Sequence, residues 1–316
     1  MLSDGYALRA MRWLCACAIV LTLAVISASA YLRLSQAGLA CADGARCDAG
    51  ALRSTANSAS APSAAQTYVR MAHRVSATGV ALLMLALVVV SWKWQRAYLR
   101  IVAGAFSAML FLALLGGAAH GSRLPAVTLG NLGGGWLLLS ALGWLYARSS
   151  MSDAAAMGAS WRRFVAIGLA LLVAQLALGG WASADFAAVS CLRVPLCIDA
   201  WGPDASFAQL NPFATPKADG AGRVIASPAA VFLLWLHRVS GFVVAAYLLW
   251  LGAKLRRQET ALRHFGWLLL LLVALQVGLG SSSTTIELPL ASAVTHNGVA
   301  ALLLLALVSL YGRLGH

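Results

Sequence analysis

The chain has 316 residues, of which 61% are hydrophobic and only 10% are charged, and its mean hydropathy is +0.80. This composition excludes an ordinary soluble globular domain, in which about a quarter of the residues are charged. The formal net charge of +13 would indicate a nucleic-acid partner in a soluble protein. Here the basic residues cluster at the ends of apolar runs, so we expect contact with membrane lipid and none with nucleic acid.

Eight apolar runs are long enough to cross a bilayer, because a hydrocarbon core about 30 Å thick needs roughly 20 helical residues. The runs are continuous rather than alternating, which predicts helices and not the strands of a barrel. The predicted spans are residues 12–31, 70–92, 99–118, 128–147, 163–182, 228–250, 263–281 and 293–311. The fold class that follows is an all-α integral membrane protein with eight transmembrane helices.

Basic side chains at the termini and after the even-numbered spans predict the orientation. By the positive-inside rule, the N and C termini are cytoplasmic and the loops after the odd-numbered spans face outward. The first span could instead be a cleaved signal peptide, since Ala28-Ser29-Ala30 resembles a cleavage site. A retained helix keeps the two halves described below equal. No long Arg- and Ser-rich presequence comes before it, which favours a bacterial inner membrane.

Two outer loops each contain a pair of cysteines. Cys41 and Cys47 lie in the first loop, and Cys191 and Cys197 lie in the third, with the same five-residue gap. Equal spacing on the oxidising side predicts one local disulfide in each loop. Metal ligation fits less well, because neither loop contains a histidine.

The chain contains an internal repeat. His73-Arg74-Val75-Ser76 and His237-Arg238-Val239-Ser240 lie 164 residues apart, and the last spans of the two halves align at an offset of 165, which places Asn131 over His296. Each half contains a span, a cysteine loop, a His-Arg span and two further spans. We therefore predict two repeated four-helix bundles, residues 1–150 and 151–316, with parallel topology.

Three histidines, His73, His237 and His296, lie at the outer ends of predicted spans. An ionisable residue at membrane depth is costly and usually has a function. His237 and His296 belong to the same half at similar depth, which predicts two axial ligands for one heme iron. An interhelical hydrogen bond would also satisfy a lone histidine, but three histidines at matching depth favour heme.

The first half lacks an evident second ligand. The repeat places Asn131 where the second half has His296, and asparagine is a poor iron ligand. His120, in the loop between the third and fourth spans, is either that ligand or a solvent-facing residue. We therefore expect a five-coordinate or asymmetric site around His73. Arg74 and Arg238 either pair with heme propionates or anchor their helices at the membrane interface.

The chain resembles the heme A synthase family over nearly its whole length. The resemblance rests on the two repeated halves, the segment from Tyr31 to Cys41, the cysteine pairs and the two His-Arg spans. It implies oxidation of a porphyrin methyl group of heme O to the formyl group of heme A, with heme O synthase and cytochrome oxidase assembly proteins as partners. It also implies that His237 and His296 hold a heme b, that His73 holds the substrate heme, and that Cys41 and Cys47 form a structural or redox-active pair.

Two positions depart from the family pattern. Asn131 replaces a histidine, and Arg70 replaces a glutamate that comes three residues before the His73 equivalent. Arginine cannot act as a base in place of that carboxylate. A heme-binding assembly factor or heme carrier is therefore the alternative, and a cytochrome b-like electron carrier is a third possibility that would need His120 as a ligand. The glycines at 133–135 give clearance for heme or allow packing against a second copy of the chain.

Overall fold

The computed structural model describes residues 2–36, 63–118, 124–150, 159–185, 187, 207, 210–216, 227–258, 260–285 and 290–314. These ranges contain eight long helices: α1 (Leu2–Gln36), α2 (Ala64–Trp94), α3 (Leu99–Ala118), α4 (Pro125–Ser149), α5 (Ala159–Ala184), α6 (Pro228–Leu255), α7 (Thr260–Thr285) and α8 (Leu290–Arg313). Each is long and apolar enough to cross a membrane. The predicted all-α membrane fold with eight spans is confirmed, while the sidedness of the termini stays a prediction.

Most of the helices extend beyond the predicted apolar spans. α2 begins at Ser63, whose hydroxyl accepts from the Gln66 amide while the Gln66 side chain accepts from the Ser63 amide. α6 begins after Ser227, which caps the helix directly before Pro228. The spans predicted from hydropathy stop where apolar residues stop, whereas the helices continue until a cap or a turn satisfies the free backbone groups.

The helices of each half pack in the same order. In the first half α1 contacts α2 and α4, and α3 contacts the same two helices; in the second half α5 contacts α6 and α8, and α7 contacts the same two. The first core includes Met84, Leu139 and Leu142. The second core includes Leu248, Leu269 and Leu303. This order agrees with a repeat of four helices, and the division at residue 150 stays a prediction.

The two halves meet along α4 and α8, which run side by side in the same direction. A Cβ atom added to Gly143 of α4 would lie 2.6 Å from Leu305 of α8, and one added to Gly312 would lie 3.2 Å from the Ala147 Cβ atom. α1 also contacts α8, and α5 contacts α4. Glycine brings the helices close together here, as small residues do in membrane bundles.

Basic side chains lie over aromatic rings at the end of the bundle where α1 begins, which we call the inner end. The Arg9 guanidinium carbon lies 4.6 Å from the Tyr6 ring centroid, and that of Arg162 lies 4.9 Å from the Tyr311 centroid. Arg313 lies 5.3 Å from the Phe265 ring in the same way. Such pairs suit a membrane interface, and they lie at the end that the charge distribution predicts to be cytoplasmic.

We expect Gly266→Ala to destabilise the protein by about 1–3 kcal/mol through overpacking. A Cβ atom at Gly266 of α7 would collide with the Arg256 backbone nitrogen and lie 2.8 Å from the Gly252 carbonyl oxygen of α6. Backbone atoms cannot move aside as a flexible side chain can. The measurement is the thermal unfolding midpoint of the purified protein in detergent.

The matched control for this substitution is Gly104→Ala in α3, where a Cβ atom would have nothing within 4 Å. Because alanine favours helix over glycine, this variant should unfold at or above the wild-type midpoint. Equal midpoints for the two variants would contradict the close α6–α7 contact.

Candidate functional site

His237 of α6 is held by a glutamine of the neighbouring helix α5. The Gln175 Nε2 atom lies 2.9 Å from His237 Nδ1 and donates to the His237 carbonyl oxygen at 2.8 Å. The Ser240 hydroxyl donates to Gln175 Oε1 at 2.6 Å. The glutamine therefore contacts both the imidazole ring and the α6 backbone, and because its Nε2 atom can only donate, His237 Nδ1 accepts in this arrangement.

His296 of α8 is held in a similar way by α7. The Gln276 Nε2 atom lies 3.1 Å from His296 Nε2. The other ring nitrogen, Nδ1, and the Gln276 Oε1 atom are both buried and have no hydrogen-bond partner. Unpaired buried polar atoms are rare because each carries a desolvation cost. A group bound in this half of the bundle could therefore form hydrogen bonds with these two unpaired atoms.

Each histidine ring also packs on a glycine one turn along from its glutamine. A Cβ atom at Gly179 would lie 2.7 Å from His237 Cε1, and one at Gly280 would lie 3.1 Å from His296 Cε1. In each case the glycine follows the glutamine by four residues, so both face the same neighbour. We call these two Gln-x-x-x-Gly segments, residues 175–179 and 276–280, the histidine cradles.

The histidine cradles were not predicted from the sequence, although they leave a signal there. Gln175 and Gln276 are polar residues inside apolar spans, and each comes four residues before a glycine. An amide in a membrane helix needs a partner in the bundle. The sequence thus indicates that each glutamine needs a partner, and the helix packing shows that this partner is a histidine.

The two imidazoles are close enough to interact electrostatically, and both are partly buried between helices. Across the described ranges, no group of three or more His, Cys, Asp or Glu side chains could hold a bare metal ion. Two imidazoles from separate helices suit the two axial positions of a heme iron, whose porphyrin supplies the remaining ligands. The donor set and the glycine surfaces therefore fit a bis-histidine heme.

The first half is built differently around His73. This residue is partly buried on α2, and no hydrogen bond to its ring is found within the part of the chain that is described. Asn131 is partly buried on α4, whereas Arg70 and Arg74 are exposed. Arg238 in the second half is partly buried, and both roles predicted for these two arginines stay predictions.

Leucines fill the first half where the second half has a histidine cradle. A Cβ atom at Gly134 of α4 would lie 2.6 Å from Leu112 of α3, and one at Gly130 would lie 2.9 Å from Leu115. The contact between the third and fourth helices is thus apolar in this half and polar in the other. His120 and the predicted disulfide residues Cys41, Cys47, Cys191 and Cys197 lie outside the described residues, so those predictions stay as they are.

One acidic group lies at the outer end of α5, the end opposite the inner end. Asp185 directly follows the helix, and burial raises the pKa of its carboxyl group to about 6. The nearby Gly180 packs against Leu132 and Trp136 of α4. The outer end of α5 therefore carries a carboxyl group whose pKa burial raises above its ordinary value.

Comparison with known proteins agrees with this architecture. Residues 11–308 match the model of a family described as cytochrome oxidase assembly protein. A heme A synthase from Shewanella oneidensis is 32% identical over 321 residues, which cover 97% of this chain and 97% of that protein. These matches confirm the resemblance indicated by the sequence, and they include both halves of the chain.

We expect Gly179→Ala to weaken heme retention, because the new Cβ atom would displace the His237 ring from its position on α5. The measurement is the ratio of low-spin heme absorbance to protein after purification. The matched control is Gly278→Ala in α7, where a Cβ atom would meet nothing within 4 Å. An equal ratio in the two variants would contradict the role of the Gly179 surface.

Proposed function

Because the chain belongs to the cytochrome oxidase assembly protein family, we propose that it is a heme A synthase-type oxidoreductase that converts heme O to heme A. An oxidoreductase of heme A biosynthesis is the enzyme class that this membership supports. The observation that carries the proposal is the pair of histidine cradles in the second half. They provide two imidazoles on separate helices of one bundle, which is what a resident redox heme requires.

In this proposal His237 and His296 would hold a heme b. When bound, that heme would supply one-electron redox chemistry. Gln175 and Gln276 contact the two rings, and because a ligating histidine donates its second ring N–H, each glutamine would turn its Oε1 atom toward the ring when the heme is bound. Gly179 and Gly280 give the rings room on α5 and α7. Arg238, partly buried one residue after His237, would pair with a propionate of this heme.

The substrate heme O would lie in the first half, next to His73. Oxidation of its methyl group to a formyl group takes an oxygen atom from water and releases protons and electrons (R–CH3 + H2O → R–CHO + 4 H+ + 4 e−), and the electrons would leave through the second-half heme to an external electron acceptor. Asn131 is the residue of α4 at the position that His296 has in α8, and it offers an amide in place of a second ligand. His120 and a disulfide between Cys41 and Cys47 belong to this proposal as further elements of the first half.

A heme carrier or heme-binding assembly factor is the second candidate function. The exposure of Arg70, at the position where the family has a glutamate, favours it. A carrier needs the histidine cradles and a site for its cargo but no base. It would deliver heme to a terminal oxidase, and its partners would be oxidase assembly proteins in a bacterial inner membrane. Packing of a second copy through the glycines at 133–135 also stays a proposal.

The two functions differ in their product. We expect heme A when the protein is produced together with a heme O synthase in a host that makes no heme A, measured by chromatography of the extracted hemes. A host with the heme O synthase alone is the control. Accumulation of heme O alone, while the purified protein shows a bis-histidine spectrum, would refute the synthase and support the carrier.

The ligand assignment is tested separately by His296→Ala, which should remove the low-spin bis-histidine spectrum because one axial ligand is lost. Heme A formation should fall with it if the second-half heme carries electrons. The control is His264→Ala, since His264 is exposed near the inner end of α7. A low-spin spectrum that survives in His296→Ala would show that another residue ligates the iron.

A further inference from the structure

Arg33 is a partly buried arginine near the outer end of α1. Its Nε and Nη2 atoms have almost no exposed surface and no hydrogen-bond partner. Burying a charge inside a membrane bundle is costly unless another group compensates it. A guanidinium group with two buried, unused N–H donors therefore indicates a site for an anion.

Arg12 and Arg313 at the inner end each have one buried, unpaired nitrogen, Nε, but the rest of each guanidinium group makes another contact. Arg12 donates from Nη2 to the Ser149 carbonyl oxygen at 2.7 Å. Arg313 lies over the Phe265 ring, 5.3 Å from its centroid. Within the described ranges, neither kind of contact is found for Arg33. Its donors are thus the ones available to a bound group.

Arg33 lies along the face of α1 that turns into the bundle. Ile26, Ala30 and Leu34 of this face are buried, with 8%, 1% and 6% of their surfaces exposed. Residues three, four and seven apart share a helix face, so Arg33 continues this row toward the outer end. A lipid phosphate lies at the headgroup level outside the bundle, whereas these nitrogens are enclosed by protein.

The distances of Arg33 and His73 from the outer end of the bundle can be compared through a contact between α1 and α2. The Gln66 side chain of α2 donates to the Ser35 hydroxyl of α1 at 3.4 Å, which brings the outer ends of the two helices to one level. His73 lies seven residues further along α2 on the same face, about 10 Å deeper at 1.5 Å per residue. Arg33 is thus roughly 7 Å closer to the outer end than His73 is. α1 also contacts α4, the helix of Asn131.

We propose that Arg33 binds a propionate carboxylate of the substrate heme and thereby orients the porphyrin in the first half. A guanidinium fork binds a carboxylate through two parallel hydrogen bonds. The porphyrin carries its carboxylates on one edge, so this contact turns that edge outward and leaves the ring at the depth of His73. Arg33 is a positioning residue, and the inference rests on the proposed function because it requires a heme in the first half.

The test compares ferric heme with its dimethyl ester, in which both carboxylates are blocked. Full-length protein with its second-half heme is placed in nanodiscs of neutral phosphatidylcholine and titrated with each compound. Uptake of the additional heme is followed by absorbance. We expect the wild type to bind the free acid about tenfold or more tightly than the ester, the range for a charge-assisted pair.

Arg33→Gln should lose this preference by weakening binding of the free acid and leaving binding of the ester unchanged. The matched control is Arg70→Gln, which removes an exposed arginine from the outer end of α2 and should keep the wild-type preference. Arg33→Lys keeps the charge but cannot form two parallel hydrogen bonds with a carboxylate, so it should keep only part of the preference for the free acid. The low-spin spectrum of the second-half heme reports that each variant is folded.

The outcomes separate this inference from the proposed function. If Arg33→Gln binds an additional heme with the wild-type preference for the free acid, the role of Arg33 is refuted and the heme site stands. If the wild type takes up no additional heme, the first-half substrate site fails, and the inference fails with it. If anionic phosphatidylglycerol in the nanodisc abolishes the preference, the anion at Arg33 is a lipid phosphate, which also overturns the inference. If Arg33→Gln does not fold, Arg33→Lys serves as the test. A full wild-type preference for the free acid in Arg33→Lys would refute the paired guanidinium–carboxylate hydrogen bonds.

Discussion

A polar side chain inside a membrane bundle must find its partner within the protein, and this constraint shapes the second half of the chain. Gln175 and Gln276 each reach an imidazole of the neighbouring helix, at 2.9 Å and 3.1 Å. Water is not present at this depth to replace either partner. The two glutamines therefore determine which way the histidines point, and the histidines determine what the half can bind.

Glycine makes this arrangement possible in two ways. At Gly179 and Gly280 it leaves space for an imidazole ring against a helix backbone. At Gly143 and Gly312 it lets α4 and α8 approach each other closely in the middle of the molecule. The first use shapes a site, whereas the second joins the two halves. Both depend on the missing side chain and not on unusual backbone angles.

The two halves share a helix order but not their polar contacts. The second half has two histidines, each with a glutamine and a glycine. The first half has one partly buried histidine, an asparagine, and leucines packed into the glycines of α4. A permanent cofactor benefits from ligands fixed before it binds, while a substrate must enter and leave. In addition, Arg33 of α1 has two buried guanidinium nitrogens without a hydrogen-bond partner near the outer end of the first half.

The sequence by itself determined the number of helices, because apolar runs of membrane length have few alternative structures. It also identified His73, His237 and His296, since an ionisable residue inside such a run is conspicuous without any coordinates. The pattern did not show the glutamine that faces each histidine, because an amide in one span has many possible neighbours until the helix packing is known. Likewise, only the tertiary structure revealed that two guanidinium nitrogens of Arg33 are buried without a hydrogen-bond partner. Burial and pairing are properties of neighbouring helices, and a single span carries no record of which helix lies beside it.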